Sequence, residues 1–271
     1  MSTTATTAAT GPGTTLDFSA TERVPFWRLT KVELRKSYDT RAGLWLLGIT
    51  AFLAAAVMVI ALIVVLVQDQ PIKLNDFVGI ANFISGFLLP VLGIMLVTSE
   101  WSQRTAMVTF TLEAHRGRVV SAKLVAGLLL ALIVSLIATV SAFVVNAVYA
   151  VAHGGGDWHF GFLMFLGFLL TQLIAMLTGF AFATLLLNTP AAIVVYFAYS
   201  FIVPTIFAIA AQFLDWFKHV QPWVDFTQAQ QPLIDASMTG KDWAQLVVSG
   251  FIWLVIPLTL GLWRILRAEV K

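Results

Sequence analysis

The side chains able to do chemistry are few and poorly grouped. Of the four histidines, His153 and His159 flank Gly154, Gly155, Gly156 and Asp157, so two imidazoles and a carboxylate could approach a metal ion. A zinc site needs three or four protein ligands, and no further ligand has a helpful spacing; the stretch reads as a short glycine-rich loop. His115 and His219 stand alone. The glycine run lacks the Lys-Ser/Thr ending with which a P-loop holds nucleotide phosphates. With no cysteine in the chain, thiolate nucleophiles, cysteine metal sites and disulfides are excluded. Every Asp, Glu, Lys and Arg falls outside the long apolar stretches. A carboxylate proton relay, an arginine voltage ladder and a hydrolytic constellation at membrane depth therefore lack their residues. No cofactor or metal is expected on this chain. If it moves a solute uphill, the energy must come from a partner.

The elements that must position any functional residue are membrane spans. Hydrophobic residues make up 59% of the 271 and charged residues 11%, where a soluble domain carries about 25% charged. Six stretches are free of charge and long enough to cross: Leu44–Val67, Phe77–Thr98, Leu124–Ala152, Phe160–Leu187, Ala191–Leu214 and Leu246–Trp263. About 20 apolar residues cover the ~30 Å hydrocarbon core. Runs this long are helices rather than the short alternating strands of a barrel. The fold class is an all-α membrane protein. The third and fourth stretches exceed a bare span and imply tilt or extension.

The basic residues set the orientation. With both termini inside, the inner segments hold Arg23, Arg28, Lys31, Arg35, Lys36, Arg41, Arg104, Arg116, Arg118, Lys123, Arg264, Arg267 and Lys271, and the outer ones only Lys73, Lys218 and Lys241. That is 13 against 3, while the acids split seven and seven, as expected where Lys and Arg alone govern topology. A multi-pass protein of the cell membrane with cytoplasmic termini follows. Trp45, Trp101, Trp158, Trp216, Trp243 and Trp263 fall near span ends, where an aromatic belt belongs.

Residues 1–22, rich in Thr, Ala, Ser and Gly, have almost nothing to bury and read as a disordered cytoplasmic tail rather than a signal peptide. In 23–41, Arg28, Lys31 and Arg35 share one helical face, Phe26 and Leu29 lie roughly opposite, and Trp27, Leu34 and Tyr38 form a second apolar stripe. That pattern predicts an amphipathic connecting helix on the inner leaflet, in contact with lipid; a plain stop-transfer charge cluster is the simpler alternative. Asn188, Thr189 and Pro190 predict a tight inner turn with Pro190 opening the next helix. Residues 215–245 mix Trp216, Phe217, Trp223, Phe226, Leu233 and Trp243 with four aspartates, which predicts short outer interfacial helices within the six-span domain of residues 42–271.

Residues 99–123, between the second and third stretches, carry the most information. Glu100 and Arg104 stand at i, i+4 and could pair. Ala106–Leu112 is too apolar for a spacer, and a short helix presenting Met107, Phe110 and Leu112 to a partner protein would explain it. An interfacial turn with Glu100 held by Arg104 accounts for the same residues equally well.

Glu100-Trp101, Arg104-Thr105, a short apolar helix, then Arg116-Gly117-Arg118 and Ala122-Lys123 resemble the signature of type-2 ABC transporter permeases, the exporter-type family. Glu33-Leu34-Arg35-Lys36 with Asp39-Thr40-Arg41 resembles the connecting helix that opens such permeases, particularly in actinobacteria-like sequences, so the likeness covers roughly residues 23–271. Arg104 stands where the family often has Gly, and Ala114-His115 where Pro is common. The resemblance implies a cytoplasmic coupling helix that docks on an ATPase, with Glu100, Arg104, Thr105, Met107, Phe110, Leu112, Arg116, Arg118 and Lys123 in the coupling segment. It also implies two ATPase subunits per complex, which carry ATP and Mg, and a second permease, identical or homologous. Nucleic acid is not among the expected partners. A transport path between the second and fifth spans would be lined by Asn82, Ser85, Phe87, Tyr196, Tyr199 and Ser200, although Asn, Ser and Tyr also tie helices together. A path without charge suits drugs, lipids or hydrophobic peptides, and the likeness favours export. A non-transporting assembly or sensor subunit shares the topology; a channel would show a charge ring or filter motif, which is not visible.

Overall fold

Apolar runs of this length satisfy their backbone polar groups in lipid only as helices. The computed structural model describes residues 24–267, other than 104, 106–108, 110, 112 and 114 and the Ala42 side chain. In chain order the helices are α1 (Phe26–Asp39), α2 (Arg41–Gln68), α3 (Leu74–Ser102), α4 (Arg116–His153), α5 (Phe162–Leu186) and α6 (Thr189–Phe213). Three short helices follow, α7 (Asp215–Val224), α8 (Phe226–Ala229) and α9 (Gln231–Ile234), before α10 (Gly240–Arg267). Helices α2 to α6 and α10 are the six, among the described residues, long and apolar enough to cross a membrane. The expected tail over residues 1–22 lies outside the described residues.

Helix α3 is the axis of the bundle. Of its apolar window 61% is buried, against 17% for α2 and α6, and its closest neighbours are α5 and α4. The exposed Phe52, Ile60, Val194 and Ile206 on α2 and α6 form the apolar exterior that a bilayer accommodates. Helix α3 crosses α5 where Gly179 meets Pro90, and a Cβ on Gly179 would overlap the Pro90 backbone. Pro90 lies inside α3, a position tolerated in membrane helices packed among neighbours.

The helix ends follow from local chemistry. Asp76 caps α3 by accepting the Lys73 backbone N–H at 2.9 Å. At the predicted tight turn, Leu187 takes a left-handed conformation with φ 52°, and Asn188 Oδ1 accepts the Ala191 N–H at 3.0 Å. Pro190 stands in the first turn of α6, where its missing N–H costs nothing. Helices α3 and α4 overrun the charge-free stretches. Helix α3 takes in Asp76 and Glu100, and α4 starts at Arg116, well ahead of Leu124. At 38 residues α4 is about 57 Å long, so it extends well beyond a ~30 Å core.

Residues 215–245 form α7, α8, α9 and the start of α10 rather than an unstructured loop. They dock on the bundle where α6 and α10 each contain a π-helical segment, Ala198–Ile202 and Phe251–Val255. Such segments shift side-chain register and recur at functional sites. Here they bring Tyr199 and Trp253 to 4.8 Å between ring centroids, and Trp253 Nε1 donates to the Val224 carbonyl at 2.7 Å.

The α3–α5 crossing is directly testable. Gly179→Ala should destabilise the purified protein by about 1–3 kcal/mol, as overpacking does, seen as a lower thermal midpoint. Gly48→Ala, where a Cβ meets nothing within 4 Å, should leave it unchanged; equal midpoints for the two variants would contradict this crossing.

Candidate functional site

The residues brought together most tightly are four charges at the end of the bundle where α1 begins and α10 finishes. Helix α1 turns into α2 at Thr40, whose Oγ1 accepts the Gly43 N–H at 3.1 Å. A Cβ on Gly43 would overlap the Ser37 carbonyl, so glycine is what allows the corner to close. The fold then presses the Thr30 and Glu33 face of α1 against the bundle, and both residues are buried.

Glu33 and Lys36 of α1 meet Glu100 near the end of α3 and Lys123 near the start of α4. Lys123 Nζ lies 2.6 Å from Glu33 Oε2 and 3.1 Å from Glu100 Oε1. Lys36 Nζ lies 2.7 Å from Glu33 Oε1 and 2.9 Å from Glu100 Oε1. Each charge therefore touches both charges of opposite sign, in a closed ring of zero net charge. Lys123 donates additionally to the Leu96 carbonyl at 3.2 Å, so its three protons each have an acceptor. An isolated buried ion costs several kcal/mol; alternating signs and complete hydrogen bonding offset that cost here. Burial by itself would lower the Lys36 ammonium, yet Glu33 and Glu100 hold it above the usual lysine range. Its contribution to stability is complete below that range and is lost only as pH rises through the raised value.

The ring also holds the segment between α3 and α4. Thr109 Oγ1 donates to Glu100 Oε1 at 3.1 Å. The Thr109 N–H donates to the Thr105 carbonyl at 3.1 Å, and the Glu113 N–H to the Thr109 carbonyl at 3.0 Å, the i to i−4 pattern of a helical turn. Thr105 itself donates its N–H to the Glu100 carbonyl at 2.9 Å. Beside the ring a cavity of about 310 Å³ is bordered by Lys36, Glu100, Ser99, Thr105 and Thr109.

The sequence-predicted residues divide. Glu100, Thr105 and Lys123 belong to this junction. Arg104, Met107, Phe110 and Leu112 lie outside the described residues, and the partners described for Glu100 are Lys36, Lys123 and Thr109. Arg116 donates to the Ile265 carbonyl at 3.0 Å, and Arg118 pairs with Glu113 at 2.9 Å and donates to the Val24 carbonyl. The two arginines thus fasten Val24, ahead of α1, and the last turn of α10 beside the junction. On α1, Trp27, Arg28, Lys31, Arg35 and Tyr38 are exposed. Leu34 departs from the expected stripe with Trp27 and Tyr38: it packs on the core, because the α1 face turned inward is the one carrying Thr30 and Glu33. The role of Glu33 and Lys36 was not anticipated. The signal for it was an acid and a lysine at i, i+3 within an otherwise basic helix.

A second cavity of about 250 Å³ lies nearer the opposite end, between α3, α5 and α6, and α8 and α9 border it. Asn82, Phe87, Tyr196, Tyr199 and Ser200 line it. Ser85 does not; it is buried and donates to the Ala81 carbonyl. Phe87 stacks on Phe197 at 4.8 Å with planes 29° apart, and Phe201 continues the aromatic wall. Sequence reading missed Gln172 of α5, which is fully buried beside Asn82; a polar residue inside an apolar stretch was the available signal. In the glycine-rich loop His153 lies 3.0 Å from Asp69 and stacks on Tyr149, while His159 sits 3.3 Å from Asp157.

Breaking the ring on one side should be costly and re-balancing it less so. Lys123→Met leaves two carboxylates facing Lys36 and should destabilise the solubilised protein by about 3–5 kcal/mol. Glu33→Gln combined with Lys123→Met, which restores neutrality, should recover a large part of that in thermal unfolding. An additive double variant would contradict the ring.

Comparison with curated proteins gives no match. The family model described as ABC-2 family transporter protein matches residues 51–270. The match takes in Glu100, Lys123, the segment between α3 and α4 and the aromatic cavity, and leaves α1 outside. Six membrane-spanning helices, a polar junction at one end and a matched region covering most of the chain together make this protein a polytopic membrane member of the ABC-2 transporter family.

Proposed function

We propose that the chain is the permease subunit of an ATP-driven exporter and that the four-charge ring is its force-transmitting joint. The carrying observation is that one carboxylate, Glu100, binds α1 through Lys36, α4 through Lys123 and the connecting segment through Thr109. Displacement of that segment by a partner would reach α1, α3 and α4 together, because moving any one alone would unpair a buried charge. A joint of this kind converts a push at one end into rearrangement of helices along their length.

In this reading the end bearing the termini is cytoplasmic, in agreement with the 13 to 3 distribution of Lys and Arg between the two sides. Residues 105–113 are the coupling element, two cytoplasmic ATPase subunits bind a pair of permeases, and ATP with Mg resides on the ATPases. The chain itself has no catalytic role. Cargo passes the aromatic cavity between α3 and α6. That cavity is lined by neutral side chains at neutral pH, which supports uncharged amphipathic or hydrophobic cargo: drugs, lipids or apolar peptides. The exposed aromatic and basic side chains of α1, Trp27, Arg28, Lys31 and Tyr38, suit the inner leaflet surface.

The test is reconstitution with whichever ATPase co-purifies from the native membrane. Glu100→Gln weakens the ring while keeping its shape. Hydrolysis should persist, while export of a lipophilic dye such as Hoechst 33342 falls roughly fivefold to a hundredfold, the usual span of a coupling energy. Failure of any ATPase to associate, or unimpaired export by the variant, would contradict the assignment.

A further inference from the structure

The wall of the aromatic cavity contains a polar pair whose direction is fixed by the backbone. Gln172 Nε2 lies 3.1 Å from the Asn82 main-chain carbonyl and 2.8 Å from Asn82 Oδ1. A main-chain carbonyl can only accept, so the Gln172 nitrogen must face it. The same nitrogen spends its other proton on Asn82, which requires the Asn82 oxygen, and not its nitrogen, to turn toward Gln172. Rotating both amides together would set Gln172 oxygen against the Asn82 carbonyl, two acceptors face to face. The polarity therefore runs one way, from the α3 backbone through Gln172 to Asn82.

Two consequences are visible. Gln172 Oε1 is buried with no partner among the described residues, a costly state that the arrangement tolerates in order to keep its amide pointed at Asn82. Asn82 Nδ2, on the far side of its amide from Gln172, has no acceptor among the described residues. Asn82 is partly exposed and lines the cavity beside Phe87 and Phe197.

We propose that Gln172 is a positioning residue that makes Asn82 a dedicated hydrogen-bond donor to cargo, so that the cavity selects uncharged molecules with a flat apolar body and an acceptor such as a carbonyl or ether oxygen. The selection rests on the transport reading above. The stacked phenylalanines supply a surface for a planar body, and a single donor set in an apolar wall favours the ligand able to satisfy it.

Three near-isosteric planar tricycles separate the possibilities: 9-fluorenone offers an acceptor, carbazole a donor, and fluorene neither. Binding to the full chain in lipid nanodiscs is measured by equilibrium dialysis, with empty nanodiscs subtracted. Fluorenone should bind roughly threefold to tenfold more tightly than fluorene or carbazole, the worth of one hydrogen bond. Gln172→Met, close in volume, removes the donor that holds the Asn82 oxygen inward; Asn82 can then present either atom, and the fluorenone preference should fall to parity with carbazole while fluorene still binds. A purely structural Gln172 would lower all three affinities together and leave their order unchanged. Asn82→Leu, which keeps the volume, should abolish the preference while fluorene still binds, and it serves where Gln172→Met fails to fold. Equal binding of the three to the unaltered protein overturns the inference while leaving the cavity as a cargo site. That result would mean that the amide serves the 30 Å³ space it shares with Asn75. A fluorenone preference that survives Gln172→Met also overturns it. Absence of binding by all three overturns both this inference and the cargo role of the cavity.

Discussion

A charge cannot be left alone where water is excluded, and the terminal end of this bundle is organised around that constraint. Four ionised side chains from three helices are buried or half-buried, each within 3.1 Å of both charges of opposite sign. Glu33, Glu100 or Lys123 left unpaired would cost several kcal/mol, so the three helices hold their relative positions or break together. The corner at Gly43, the inward face of α1 and the overrun of α3 and α4 beyond their apolar stretches all serve to assemble this ring. Among the described residues, the segment between α3 and α4 joins it through the Thr109 hydroxyl. A partner acting on that segment would therefore be pulling on a rigid neutral cluster rather than on a flexible loop.

The opposite half of the molecule is built differently. Its adhesion is aromatic, from Phe87 on Phe197 to Tyr199 on Trp253, and the two π-helical segments bring those rings into register. Hydrogen bonds between neutral groups tie its helices together at the chamber, Gln172 with Asn82 and Trp253 with the Val224 carbonyl. Neutral contacts between helices in lipid are individually weak, about 0.6 kcal/mol on average, so this half can rearrange at lower cost than the charged end. A charged cluster at one end and a neutral aromatic chamber toward the other are the two parts on which the proposed transport reading draws.

Much of the fold was legible because lipid makes the rules strict. Charge-free stretches near 20 residues admit one secondary structure, and Asn188-Thr189-Pro190 and the aromatic, aspartate-rich segment after α6 announced a turn and short helices through local chemistry. The joint was not legible in the same way. Glu100 has Arg104 one helical turn away in sequence, yet its described cations come from Lys123 and from Lys36, 64 residues distant. Glu33 meets Lys123 across 90 residues. Only the packing of α1 against α4 brings these groups together, and no periodicity within one segment encodes it. Leu34 shows the same limit: its position on a helical wheel was sound, but which face turns inward was decided by the partner for Glu33.

The most direct test follows the joint through the ATP cycle. The chain has no cysteine, so Tyr38→Cys and Thr111→Cys can carry spin labels on α1 and on the connecting segment, both at exposed positions. The distance between them is measured by pulsed electron resonance in the ATPase complex, with and without trapped ATP. The account predicts one unchanged distance in both states, and a broadened, nucleotide-dependent distribution once Lys123→Met is added. A distance that changes with nucleotide while the ring is intact would show that the segment moves independently of α1, and the joint would not be the route by which force enters the spans.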